Sequence, residues 1–439
     1  MCAAYLTTQP EYTPGQFGSK ADVLAFAMST CSMLLNAFAG LVINFHLAAT
    51  TSAVVVGQFN QILILYMLAG QCASCGAHLS CLHHQSLEPV TSSTWRASAI
   101  AACIVAVCAG LFVCVVLILG ADAIARLLNA DIAFGIVWMA PAATLFGLNK
   151  VRFALYNAAD KLLTLAFVQG VRPVVWLITL WMVLLEGSPS PDLFGKLLLY
   201  GELAVLASAM LFRATCQPFP TLCELYFWFA KHARFGLRAI LSHLAIELHF
   251  KIDVLILAFF SDGAVVGIYS FVALLAEGIS KGGFLIRTII TRRLTNTLAA
   301  RDKKALYSLT LRAGGWNLGL TAAASAVLLA LYAPGLAWLG MDPNLSKGLV
   351  PLGILLAGIV VCALWAPFLM NLLLAGYPLA HTTLMLTLCA FSILLTVLFV
   401  PTWGMYGAAI GTASMFAAFP PLLAVWMRST LGFTCLKRA

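Results

Sequence analysis

Ala97-Ser98-Ala99-Ile100-Ala101-Ala102-Cys103-Ile104-Val105-Ala106-Val107-Cys108-Ala109-Gly110-Leu111-Phe112-Val113-Cys114-Val115-Val116-Leu117-Ile118-Leu119 contains no Asp, Glu, Lys, Arg or His. About 20 consecutive apolar residues in a helix cross a hydrocarbon core about 30 Å thick, so this run is expected to span a membrane. Outward from it, similar runs separated by short polar breaks give twelve expected spans. They fall at 22–45, 53–76, 97–119, 132–156, 161–185, 194–212, 236–260, 264–290, 310–333, 348–375, 379–400 and 404–428. The whole chain agrees with this reading. Of its 439 residues, 62% are hydrophobic and only 9% are Asp, Glu, Lys or Arg. Soluble domains carry about 25% charged residues. So few charges cannot cover a water-exposed surface, which excludes a water-soluble enzyme, and the low charge content also excludes a disordered chain.

The net charge is +9. Basic residues of a membrane protein gather in its cytoplasmic loops, so this charge marks orientation and not a nucleic-acid surface. With the N-terminus in the cytoplasm, nineteen of the 25 Lys and Arg residues fall in or beside cytoplasmic segments. The densest group is Arg292, Arg293, Arg301, Lys303, Lys304 and Arg312, between the eighth and ninth spans. Both termini are therefore expected in the cytoplasm. Connections as short as Ser261-Asp262-Gly263 and Pro401-Thr402-Trp403 force antiparallel neighbours. The thirteen cysteines lie mostly within apolar runs and read as small packing residues, with no disulfide framework. Residues 1–20 lack the basic start and apolar stretch of a signal peptide.

Residues 213–235 do not read as a span. They combine Tyr226, Phe227, Trp228 and Phe229 with Lys231 and Arg234, the pattern of a helix lying in the headgroup region. The chain thus divides into a first six-helix bundle (1–212), a cytoplasmic interfacial linker (213–235) and a second six-helix bundle (236–439). The halves look related. The second span opens Ala53-Val54-Val55-Val56-Gly57-Gln58-Phe59 and the eighth Ala264-Val265-Val266-Gly267-Ile268-Tyr269, with the two glycines 210 positions apart. Internal repeats are a hallmark of secondary transporters, whose substrate site lies at the repeat interface near the midplane.

The stretch His249-Phe250-Lys251-Ile252-Asp253-Val254-Leu255-Ile256-Leu257 continues after a short turn into Val266-Gly267-Ile268-Tyr269-Ser270 and then Leu274-Leu275-Ala276-Glu277. It resembles the start of the second half in polysaccharide flippases of the multidrug/oligosaccharidyl-lipid/polysaccharide exporter superfamily. Gly57-Gln58-Phe59 and the segment from Asn149-Lys150 to Asn157 sit where family members carry similar residues. The first span lacks the Arg residues that many such flippases carry there, and offers only Asn36 and Asn44. The resemblance implies an all-α polytopic membrane protein of about twelve transmembrane helices, in two pseudo-symmetric six-helix bundles that rock around a central cavity. It implies flipping of an undecaprenyl-pyrophosphate-linked oligosaccharide across a bacterial inner membrane during surface polysaccharide assembly. Ion gradients or the membrane potential would drive this, not ATP.

An ionisable side chain at the bilayer centre costs about 2.5–3.5 kcal/mol on insertion scales, so it needs a partner or a wet cavity. His243, Glu247 and Lys251 are spaced by four in the seventh span, with Glu ahead of Lys in the favourable order for an ion pair. Asp253 points to another side of that helix. Glu277 and Lys281 repeat the spacing in the eighth span, Arg172 lies in the fifth and Glu202 in the sixth. On the functional reading, Lys251, Lys281 and Arg172 neutralise a pyrophosphate in the cavity. Asn36 and Asn44 contact the sugar or headgroup, and Glu247, Asp253 or Glu277 binds a coupling H+ or Na+. On the structural reading, the charges neutralise one another as packing pairs and the amides bond between helices.

Cys72, Cys75, His78, Cys81, His83 and His84 have the residue types of a zinc site. On a continuing helix, however, successive i+3 positions turn by about 60° and spread the ligands, so no metal is expected. Pro141, Pro173, Pro351, Pro367, Pro420 and Pro421 are expected to kink their spans. No nucleotide-binding loop appears, and no cofactor is expected. No large outer loop with paired acids and His appears either, which argues against a glycan polymerase or ligase. A cation-coupled multidrug exporter of the same superfamily is the alternative transporter. The expected partners are the lipid-linked oligosaccharide, a coupling ion, the lipid bilayer and polysaccharide polymerase machinery, with no nucleic acid.

Overall fold

A computed structural model describes residues 20–85, 90, 92–186, 190–210, 220–248 and 251–432. Nearly all of them are helical and no strand occurs among them. In hydrocarbon every backbone polar group must find its partner within the protein, and an apolar helix achieves this within one segment. The first half comprises α1 (Lys20–Thr50), α2 (Ala53–Ser74), α3 (Ala77–Gln85), α4 (Ser93–Leu127), α5 (Ala133–Ala158), α6 (Leu162–Glu186) and α7 (Pro191–Met210). The second comprises α8 (Leu222–Leu248), α9 (Ile252–Phe260), α10 (Gly263–Ala299), α11 (Lys303–Leu309), α12 (Gly315–Trp338), α13 (Leu349–Ala363), α14 (Asn371–Leu374) and α15 (Pro378–Leu431). Polar caps fix several starts. Ser92 accepts from Trp95 N–H at 3.1 Å and Asp262 from Val265 N–H at 2.9 Å.

Nine helical segments among the described residues are long and apolar enough to cross a membrane. Three more crossings complete the twelve. The apolar part of α1, Leu34–Thr50, is shorter than the others. The helix α15 is two arms that reverse at Gly404, whose φ of 53° and ψ of −130° are open to glycine. Past that turn Gly407 lies on the Phe399 carbonyl and Gly411 on Thr396, as antiparallel arms require. The remaining crossing, the seventh, is formed by α8 and α9 together. The chain is thus an all-α polytopic membrane protein in two pseudo-symmetric six-helix bundles.

Several expected limits change. The third span lengthens to the 35 residues of α4, and the eighth extends through Ala299. The tenth is not one helix: a 3-10 turn at Ala366–Phe368, with Pro367 in its first positions, separates α13 from α14. A π-helical turn, Thr310–Gly314, joins α11 to α12. The boundary drawn at residue 235 falls inside α8. Residues 213–219 of the expected linker lie outside the described residues, and 222–235 continue straight into the seventh span. Tyr226 and Phe227 are exposed there, whereas Trp228 is buried against Ala97 and Ala101 of α4. By packing, the first part of α8 belongs to the first bundle.

The bundles meet on a pseudo-twofold axis. A Cβ at Gly57 would lie 2.8 Å from the Gly263 carbonyl oxygen, and one at Gly267 would strike the Ala53 carbonyl oxygen. Gly57 and Gly267 are equivalent in the repeat, as are Ala53 and Gly263. Each glycine therefore packs on the equivalent carbonyl of the other half, the reciprocity that defines an isologous contact. Asn60 Nδ2 donates to the hydroxyl of its own equivalent, Ser270, at 3.1 Å.

Candidate functional site at the broken seventh span

Lys251 stands between α8 and α9 with a non-helical φ of −137°, and its N–H donates to the Leu248 carbonyl at 2.9 Å. From there, the nine residues of α9 rise only about 14 Å to the end of the span. The break therefore lies near the middle of a hydrocarbon core about 30 Å thick. Discontinuous helices at the midplane and repeat interface are where secondary transporters bind substrates and ions.

The break rewrites the expected pairing. A Glu-to-Lys bond four residues apart needs an uninterrupted helix, and Glu247 and Lys251 no longer share one. Glu247 Oε1 instead accepts from Gln71 Nε2 of α2 at 2.9 Å, and Gln71 Oε1 accepts from Lys150 Nζ of α5 at 2.5 Å. Lys251 Nζ turns to Glu277 Oε2 of α10 at 3.2 Å, and Lys281 Nζ meets Glu277 Oε1 at 2.8 Å as its spacing predicts. Lys251 and Glu277 are 13% and 18% exposed and Lys281 54%, so the group opens outward along α10. Among the described residues of this group, three lysines stand with two glutamates. Lys150 and Gln71 carried no site role in the sequence reading. Lys150 was legible there as one cation late in an apolar run, within the Asn149-Lys150 to Asn157 segment.

The other expected site residues sit elsewhere. Glu202 of α7 is fully buried; it is ion-paired with Arg172, Nε lying 2.6 Å from Oε1, and accepts hydrogen bonds from Asn149 Nδ2 at 2.7 Å and from the Tyr66 hydroxyl. This knot ties α2, α5, α6 and α7 together. Arg172 is thus committed to a carboxylate and not presented to a phosphate. The Phe146 ring carries both the Arg172 guanidinium, at 5.2 Å, and Lys150 Nζ, at 5.7 Å, and so separates the knot from the lysine–glutamate group. Asp253 lies in a second knot. It is buried and accepts from Tyr269 at 2.5 Å, Thr412 at 2.7 Å and Val254 N–H at 2.8 Å, joining α9, α10 and α15. Such a site holds helices together. Asn36 Nδ2 donates to the Gln169 carbonyl of α6 at 3.4 Å and to the Ser32 carbonyl at 3.0 Å. Asn44 is fully buried on the pseudo-twofold seam, where its Oδ1 accepts from Asn60 Nδ2 at 2.7 Å. Both asparagines are spent on helix packing.

Two clasps close the face opposite the basic residues. Asn129, in the α4–α5 turn, donates to the Ala258 and Phe259 carbonyls at the end of α9, at 3.3 and 3.0 Å. Asp342, in the α12–α13 turn, donates its N–H to the Ala48 carbonyl and accepts from Ala53 N–H, each at 3.2 Å. Ala48 and Ala258 are 210 positions apart, so each half grips the same place on the other.

The cysteine–histidine run does not form one helix. Cys75, in the left-handed region at φ 43°, ends α2 before α3 begins. Among the described residues no group of three or more His, Cys, Asp or Glu is placed to hold a metal. His83 stacks on Phe235 at 5.7 Å, and His84 meets Trp228 edge-on at 5.8 Å. His232, buried outside the spans, lies 2.9 Å from Ser98 Oγ and 2.8 Å from Ser80 Oγ, which docks α8 on α4 and α3. Burial, then the neighbouring His84, lowers the pKa of His232 to about 4.

No family model and no curated protein matches the sequence. Solved structures do match, at low identity. The lipid II flippase MurJ, in an inward closed conformation, has a TM-score of 0.70 at 12% identity, over 93% of this chain and 87% of that one. An inward-facing multidrug resistance MATE family transporter of the MOP superfamily has a TM-score of 0.68 at 14% identity, over 93% and 98%. An outward-facing MATE family transporter of that superfamily has a TM-score of 0.52 at 14% identity, over 95% and 94%. The chain has the fold of these transporters.

Proposed function

We propose that this chain flips an undecaprenyl-pyrophosphate-linked oligosaccharide across a bacterial inner membrane by alternating access, during surface polysaccharide assembly. The observation that carries the reading is the break of the seventh span at the bundle interface, where lysines outnumber glutamates among the described residues. More lysines than glutamates among the described residues, from the midplane toward the basic face, favour an anionic headgroup over a cationic drug. Lys251, Lys281 and Lys150 meet the phosphates as point charges, which suits a substrate that must be released again. An arriving pyrophosphate competes with Glu277 for Lys251 and Lys281, and with Gln71 for Lys150. The released Glu277, or Glu247, then takes up the coupling H+ or Na+ and restores neutrality. Substrate entry is thereby linked to rearrangement of the contacts that join α8–α9 to α2 and α10.

The conformation supports inward opening. The clasps hold the face opposite the basic residues shut, and the chain overlays the inward-facing MATE structure better than the outward-facing one. The basic face is then cytoplasmic, as the Lys and Arg distribution expects. The test is deletion of the gene followed by leaflet-resolved analysis of lipid-linked oligosaccharide. Accumulation on the cytoplasmic leaflet, restored to normal by wild type and not by a Lys251→Ala/Lys281→Ala variant at equal membrane level, is expected. Normal glycan display with new sensitivity to cationic dyes would instead identify a multidrug exporter.

A further inference from the structure

Away from the bundle interface, α4, α5 and α7 enclose a lipid-facing groove of about 960 Å³. Its walls are apolar along α4, from Ala99 and Ile100 to Ile104 and Val107, and at Leu206 and Met210 of α7. Ile104 and Met210 are exposed, so the groove opens sideways to acyl chains. One end differs sharply. Arg96 at the start of α4, Arg152 near the end of α5 and Lys161 just before α6 all line it, on the basic face. No Asp or Glu lines the groove among the described residues. The lining on α4 from Trp95 to Val107 rises about 18 Å. That is close to one leaflet of a hydrocarbon core about 30 Å thick.

We propose that this groove is a binding site for an anionic glycerophospholipid of the leaflet at the basic face. Its phosphate lies among Arg96, Arg152 and Lys161, and an acyl chain lies along α4 over α5. Basic pockets between transmembrane helices bind anionic headgroups in this way. The groove's depth fits an acyl chain confined to one leaflet, which favours a bilayer phospholipid over a long polyprenyl phosphate. Arg152 also donates to the Leu206 carbonyl of α7 at 3.4 Å, so a bound phosphate at this end touches the contact that holds α5 to α7.

The full-length protein, purified in detergent, is offered phosphatidylglycerol and phosphatidylcholine with identical chains, and retained lipid is read by native mass spectrometry. The wild type is expected to retain phosphatidylglycerol at least fivefold over phosphatidylcholine. The ratio should fall to about one in Arg96→Gln/Arg152→Gln/Lys161→Gln. Because Arg152 also braces α7, the exposed Lys161→Glu serves as a milder variant and should lower the ratio at least twofold. Ile104→Trp, which fills the groove, should reduce retention of both lipids. Removing as many charges elsewhere, by Arg301→Gln/Lys303→Gln/Lys304→Gln, should leave the ratio unchanged. Equal retention of the two lipids by the wild type, or an unchanged ratio in both groove-charge variants, overturns the proposal. So does displacement of phosphatidylglycerol by equimolar undecaprenyl phosphate, which would make the groove a substrate entrance.

Discussion

The two depths of the bundle interface are built from opposite materials. Toward the face closed by the clasps, α2 and α10 touch backbone to backbone at Gly57 and Gly267, and the polar groups are neutral amides and hydroxyls, Asn44, Asn60 and Ser270. From the midplane toward the basic face, the contacts are long charged side chains: Lys150 through Gln71 to Glu247, and Lys251 and Lys281 on Glu277. Close glycine packing is strong only when the surfaces match, so the first region is either shut or fully parted. Neutral hydrogen bonds contribute about 0.5–1.5 kcal/mol each, so parting them is reversible. Long charged side chains have the rotatable bonds to keep their contacts when the distance between helices changes. A molecule that seals one end with fixed contacts and leaves adaptable charges at the other is suited to rocking.

The largest test of this contrast is at the seam. Gly267→Leu drives a side chain into the Ala53 carbonyl, and should lower transport at least a hundredfold in a leaflet-resolved flipping assay. Gly319→Ala, in a helix where an added Cβ meets nothing within 4 Å, should leave transport unchanged and the thermal midpoint level or raised. Loss of function in both would show that the seam is not special. Next is the charged region. Lys251→Ala and Glu277→Gln should each reduce transport about tenfold. The double variant should lose far less than the product of the two, because residues in one network are not additive. Full additivity would separate the pair.

A smaller effect is expected at the clasps. Asn129→Ala removes the bonds to the end of α9 and Asp342→Ala removes the bond its carboxylate accepts from Ala53 N–H; each loss is worth about 1 kcal/mol, enough to shift the balance toward the outward-open state about fivefold. Cysteine accessibility near Ala48 and Ala258 reads that shift, and equal labelling in all variants would leave the clasps without a role in closure. The mildest test is pH. The His232 pKa is lowered from 6.5 to about 4, so the unfolded state takes up the proton first. Its contribution is complete above pH 6.5 and declines as pH falls from 6.5 toward 4. The thermal midpoint should follow that window and should flatten in His232→Gln.

Much of the fold was legible because hydropathy acts locally. An apolar run must become a helix in hydrocarbon whatever its neighbours, so the fourth and fifth spans, expected at 132–156 and 161–185, appear as Ala133–Ala158 and Leu162–Glu186. The short Pro401-Thr402-Trp403 connection was read as a reversal, and Gly404 turns the chain there. The site was legible only in part. Spacing by four identified Glu277 with Lys281, since one helix holds both. It misassigned Glu247 with Lys251, because a period cannot reveal that Lys251 itself leaves the helical conformation. Arg172, Glu202 and Asp253 were recognisable as charges in apolar runs, but Tyr66 and Asn149, which bind Glu202, and Thr412, which binds Asp253, come from other helices, and nothing in the sequence pairs them.

The sequence alone determined that this chain lives in a membrane, crosses it about twelve times and repeats itself by halves, because these follow from the cost of each residue in lipid and from covalent order. The tertiary structure decided which charge meets which. Where each span stops, how α8 divides its loyalty between bundles, and which carboxylate takes Arg172 or Lys251 depend on helices brought together from distant parts of the chain. In a low-dielectric interior a charge takes the partner that packing places beside it, and that placement belongs to the assembled bundles.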